Sequence, residues 1–148
     1  MFYNRILLIT FIAWLCTQLA KAIIYWIINK SFSVERLFGD GGMPSVHSAV
    51  VMALATSVGL QSGWDSPFFA IAGILALIVM HDAVGVRQET GQQAKVLNNI
   101  LSLLQPKGEG EQNPAETLKE LVGHTGPQVI VGALGGTITA FLLNMVLP

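Results

Sequence analysis

The chain has 148 residues, of which 52% are hydrophobic and 11% charged. A soluble domain carries about 25% charged residues, so this composition is that of an integral membrane protein, with the length of a single domain, residues 1–148. The formal net charge of −1 gives no basic footprint for nucleic acid, and Cys16, the only cysteine, excludes an intramolecular disulfide.

A spanning helix needs about 20 mostly apolar residues. The first such run covers residues 6–28 and is interrupted by Gln18 and Lys21. It has no small-residue cleavage site and exceeds a signal-peptide core, so it is expected to be a retained span. A charge inside a span is costly unless paired, solvated or snorkelling. Lys21 therefore has two readings, a phosphate ligand or a cation snorkelling to the interface. Gln18 lies one turn away on the same face.

The stretch Gly41-Gly42-Met43-Pro44-Ser45-Val46-His47-Ser48 opens the second apolar run, residues 45–60. Its glycines allow close backbone approach to a ligand. The N–H groups of a helix start favour a phosphate oxygen, and Gly42, Ser45 and Ser48 are expected to line that cradle. His47 is a general-acid type that can give a proton to a leaving oxygen. The alternative is a Pro/Ser helix cap with a histidine at the interface.

The third run, residues 67–80, follows a tight turn over residues 61–67, with Trp64 placed at an interface. It ends at Asp82 and Arg87. Arg87 can clamp a phosphate in two places or anchor the span, and Asp82 can pair with it or with a histidine. His81 is taken as structural. Residues 90–104 carry Val96, Leu97, Ile100, Leu101 and Leu104 on one helical face. A Pro/Gly/Glu break covers residues 105–112. Asn113-Pro114-Ala115-Glu116 then starts a short helix that is expected to stop at Gly123.

The fourth run, residues 129–147, follows Gly123-His124-Thr125-Gly126-Pro127-Gln128. His124 can attack phosphorus if an acceptor holds its other nitrogen, and Gln128 is one turn away. The alternative is a helix-entry histidine with no chemical role. Gly132 and Gly136 form a G-x-x-x-G that points to close helix packing and is the one argument for a homodimer. With four spans, Lys30, Arg36, Arg87, Lys95, Lys107 and Lys119 fall on one side and Arg5 on the other. The positive-inside rule places the six, and both histidine turns, in the cytoplasm. The expected membrane is a bacterial inner membrane or that of an organelle.

Together these residues resemble the divergent branch of the type 2 phosphatidic acid phosphatase family, related to vanadium haloperoxidases. The resemblance covers nearly the whole chain. It is carried by the Gly41–Ala49 stretch, by Asp82 through Arg87 to Gln93 and Ala94, and by Gly123-His124-Thr125 with Gln128-Val129. It implies an all-α membrane bundle of about four spans plus short cytoplasmic helices. It also implies hydrolysis of a lipid phosphomonoester or diphosphate without metal or other cofactor. Pro44, Ser45 and His47 match the family's acid-bearing turn, with Val46 in place of its glycine. His124 matches the nucleophile, and Lys21 is the candidate for the phosphate-binding lysine, with Arg87 as a second cation. Gln128 stands where the family has an orienting aspartate. Leu118 and Lys119 stand where it has a Ser-Arg pair, so Asp82 or Glu120 is left to supply carboxylate support. Three functions are open on these residues: a lipid-phosphate phosphatase, a phospholipid-binding or transport protein without turnover, and a structural membrane protein.

Overall fold

The computed structural model describes residues 4–30, 42–104, 118 and 123–147. They form an all-α bundle with no strand among the described residues. In chain order the helices are α1 (Arg5–Asn29), α2 (Val46–Ser62), α3 (Pro67–Val84), α4 (Val86–Leu104) and α5 (Gly126–Val146). The short helix expected from Asn113 lies outside the described residues.

Local chemistry sets the helix starts. The Asn4 side chain accepts from the Leu7 N–H at 3.1 Å, and Ser66 does the same for Phe69 at 3.2 Å, followed by Pro67 at the first helical position. Gly85 follows α3, but it does not end the helical path. Its N–H donates to His81 O at 2.8 Å and its carbonyl accepts from Glu89 at 3.1 Å. The amphipathic helix expected from residue 90 therefore begins at Val86, directly off the third span.

α1, α3 and α5 are long and apolar enough to cross a membrane, α3 in one run with α4. α2 has 17 residues and is the most enclosed. It packs against α5, α3 and α1. Its buried positions are nearly all small: Ser48, Ala49, Ala53, Ala55, Thr56, Ser57 and Gly59. The neighbours answer with Ala13 of α1, Ala72 and Ala76 of α3, and Gly132, Gly136 and Ala140 of α5. In lipid, helices gain little from burying large apolar side chains and associate by close backbone approach over small ones. Large side chains such as Phe11, Ile71, Leu77, Leu134 and Leu142 point outward instead.

The G-x-x-x-G is used inside the chain. A Cβ on Gly132 would lie 2.2 Å from Ser45 O, and one on Gly136 2.0 Å from Ala49 O. The motif draws α5 onto α2 and so gives no argument for a homodimer. At the end that holds the start of α1 and the end of α5, Arg5 donates to the Asn144 carbonyl. The Asn144 side chain accepts from Gln61 at 2.9 Å and donates to Ser57 Oγ at 3.3 Å. The opposite end holds Lys21, the Gly42–His47 turn, the α3–α4 junction and His124.

Candidate functional site

The turn before α2 is tied to α5 and α1. Ser45 N–H donates to Gln128 O at 3.0 Å, which seats the turn on the first turn of α5. Gly42 has φ +85°, and a Cβ there would lie 3.3 Å from Lys21 Cε. The lysine stem thus runs against the glycine, and Lys21 is 7% exposed. An outward-snorkelling lysine would leave its stem in lipid. This one is packed inside the bundle, at the mouth that holds the histidines.

Ser45 and Ser48 are fully buried. The Ser48 hydroxyl donates to Ser45 Oγ at 2.9 Å, and Ser48 N–H approaches the same oxygen at 3.4 Å. Ser45 is thus the cap of α2, with two donors gathered on its oxygen. His47, one residue into the helix, is exposed.

His124 is 5% exposed and held from two sides. Its N–H donates to Ala83 O at 3.0 Å, joining the entry of α5 to the end of α3. Its ring Nδ1 stands 3.3 Å from Gln128 Oε1, which also accepts from Thr125 N–H at 3.1 Å. Gln128 is therefore the reach-back residue of a capping arrangement. With the proton on Nδ1 facing that oxygen, Nε2 is the nitrogen that carries the lone pair. The His47 and His124 rings face each other with centroids 6.3 Å apart and planes tilted by 58°.

Gly123 shows how this is possible. Its φ is +95°, and a Cβ would fall 2.6 Å from Gln88 N and 2.8 Å from Arg87 C. Only a residue without a side chain lets the segment cross the α3–α4 junction this closely. Arg87 Nε donates to Asp82 Oδ2 at 2.9 Å, a half-exposed ion pair across the same junction. Of the two partners open to Asp82, the structure takes the arginine. The structure thus brings Lys21, Gly42, Ser45, His47, Ser48, His124 and Gln128 to one mouth and sets Arg87 and Asp82 beside it. Glu120 lies outside the described residues. Ala83, through its carbonyl, is a positioning element that sequence reasoning did not reach. A backbone acceptor leaves no residue-type signal.

The fold and this mouth define a small helical membrane protein with two facing histidines beside a buried lysine. The chain belongs to the divergent PAP2 family, whose model matches residues 2–139. It is 37% identical over 149 residues to YuiD, an uncharacterised membrane protein of Bacillus subtilis (strain 168), covering 95% of this chain and 94% of that protein. No solved structure matches the chain at comparable stringency.

Proposed function

We propose that the protein is a membrane lipid-phosphate phosphatase that works through a phosphohistidine on His124. The observation that carries this is the facing of His47 and His124 at 6.3 Å, with Gln128 Oε1 beside Nδ1 of His124. Two rings this close can address one phosphoryl group, His124 at phosphorus and His47 at the ester oxygen. Nε2 of His124 attacks phosphorus, the P–O bond to the lipid breaks, and His47 gives its proton to the departing alkoxide. Water then attacks the phosphohistidine, its proton goes to His47, and phosphate leaves with both histidines restored. Lys21 offsets the phosphate charge, and the N–H groups at the start of α2 add to it. Membership of the divergent PAP2 family supports the reaction class. The charge asymmetry expected from the sequence supports a cytoplasmic mouth. The Bacillus relative supports a bacterial membrane as its setting.

A second reading has its own observation. Gln128 Oε1 is shared with the Thr125 N–H, and the Asp82 carboxylate is engaged by Arg87. Gln128 thus faces His124 where the wider family has a carboxylate, a change that costs about four orders of magnitude in rate in the serine-protease triad. On this reading the protein binds or moves a phospholipid without turnover.

The test is phosphate release by the purified protein in detergent without added metal. Its substrates are phosphatidic acid, phosphatidylglycerol phosphate and polyprenyl phosphates or diphosphates. Release that is lost in both His124→Ala and His47→Ala is the expected result. Retained binding of the phosphate lipids with no release from any of them would favour the second reading.

A further inference from the structure

Leu7, Phe11, Trp14, Gln18 and Lys21 follow one another along α1 at intervals of four, three, four and three residues. That spacing puts them on one face of the helix, each above the last. Three independent features lie on this face. At one end is the buried Lys21 amine stem, packed on Gly42. At the other is an open groove of about 390 Å³ between α1 and α2, lined by Leu7, Thr10, Phe11, Trp14 and Val50. Between them is Gln18, whose Oε1 is buried with no hydrogen-bond partner.

The groove is apolar in effect. The Thr10 hydroxyl donates to Ile6 O at 2.8 Å, so its polarity is used within the helix. Phe11 and Trp14 stack with ring centroids 5.6 Å apart and form one wall. Its volume falls in the range of pockets that hold small ligands, about 300–1,000 Å³. Along the axis, Gln18 lies about 4.5 Å from Lys21, Trp14 about 10 Å and Leu7 about 21 Å, at 1.5 Å per residue. Half the hydrocarbon core is about 15 Å thick, so the groove reaches the middle of the bilayer.

We propose that this face of α1 is the substrate track, resting on the phosphatase reading above. The groove seats one hydrocarbon chain of a lipid whose phosphate reaches Lys21. Gln18 meets the linker between them. An unpartnered buried acceptor is costly, and a donor on the ligand removes that cost. The class selected is therefore a lipid phosphate with a hydroxyl in its linker, about one helical turn below the phosphate. A polyprenyl phosphate, which has no such donor, leaves Gln18 unmatched. Discrimination of this kind is strong where a buried polar group would otherwise stay unpaired.

The experiment is photo-crosslinking of the full chain in nanodiscs, using phosphatidic acid with a diazirine midway along one acyl chain. Adducts are mapped by mass spectrometry. The expected result is labelling of α1 between Leu7 and Trp14 that excess unlabelled phosphatidic acid competes away and phosphatidylcholine does not. Thr10→Trp, which fills the groove, should remove that labelling while a melting curve reports retained folding. Labels scattered over the outward faces of α3 and α5, or competed equally by phosphatidylcholine, would overturn the track. For Gln18, competition by phosphatidylglycerol phosphate should weaken roughly three- to tenfold in Gln18→Leu, the worth of one hydrogen bond, with phosphatidic acid unchanged. Equal weakening for both lipids would overturn its role. Labelling is read without turnover. Saturable labelling with no phosphate release would sink the phosphatase reading and keep the track, and scattered labelling with release would do the reverse.

Discussion

Replacing Gly132 by alanine tests whether the contact between α5 and the Ser45 turn governs both stability and the site. In an open helix this change should help, because alanine exceeds glycine by about 1 kcal/mol in helix propensity. Here the new Cβ would stand 2.2 Å from Ser45 O and 3.1 Å from Ser45 C and N. Ordinary contact begins at 3.4 Å, so the oxygen is about 1.2 Å too close, and it belongs to backbone that cannot rotate away. Overpacking of this kind costs about 1–3 kcal/mol or more, and a contact against backbone belongs at the upper end. After the propensity gain, a net loss of about 2 kcal/mol is expected, or several degrees in melting temperature for a chain of this length. The site should suffer more than the fold. The shift separates α2, which carries His47, from the entry of α5, which holds His124, and a displacement of about 1 Å can cost roughly a hundredfold in rate. The assay is thermal unfolding in detergent, followed by tryptophan fluorescence, with phosphate release measured well below the transition. Gly135→Ala is the control, because a Cβ there meets nothing within 4 Å. It should be neutral or stabilising. A Gly132→Ala protein at least as stable as Gly135→Ala would refute the account of close packing.

Three further changes separate the parts of the mouth. Gln128→Glu keeps the reach-back cap, since glutamate serves as well as glutamine at that position, and gives His124 a carboxylate. Phosphate release should rise at least roughly tenfold, and unchanged release would show that the orienting group is not what limits turnover. Gly123→Ala places a Cβ 2.6 Å from Gln88 N at a φ of +95°. It should lower stability by about 1–3 kcal/mol, and chemical unfolding will show no loss if the crossing of the α3–α4 junction is looser than described. Ser45→Ala removes the cap of α2 and strands the Ser48 hydroxyl, at a cost of about 1–2 kcal/mol in the melting assay.

Much of the bundle was legible because apolar runs of span length have few alternatives. Residues 6–28 became Arg5–Asn29, and residues 129–147 became Gly126–Val146. The mouth was legible for a different reason. Alternation of spans alone puts the ends of α1 and α3 beside the starts of α2 and α5. What stayed hidden were choices between partners. G-x-x-x-G announces a close approach but not to what, and here it meets Ser45 and Ala49 rather than a second copy. The third span and the helix from residue 90 were expected as separate pieces, yet Gly85 between them keeps helical hydrogen bonds on both sides. The clasp of Arg5, Gln61 and Asn144 joins residues more than 80 positions apart, which no local pattern reports.

The length of α2 has a consequence of its own. Seventeen residues make about 25 Å of helix, against a hydrocarbon core of about 30 Å. At one end Trp64, an interfacial residue type, packs over Gly59 and edge-on to Phe69 and fixes the hairpin at the membrane surface. The shortfall of about 5 Å therefore falls at the His47 end. The two histidines then lie below the headgroup plane, and on the proposed phosphatase reading a lipid presents its ester bond without being lifted from its leaflet. Bilayer thickness then becomes a control on the protein: a thicker membrane buries the mouth deeper, and a thinner one brings it up to the water.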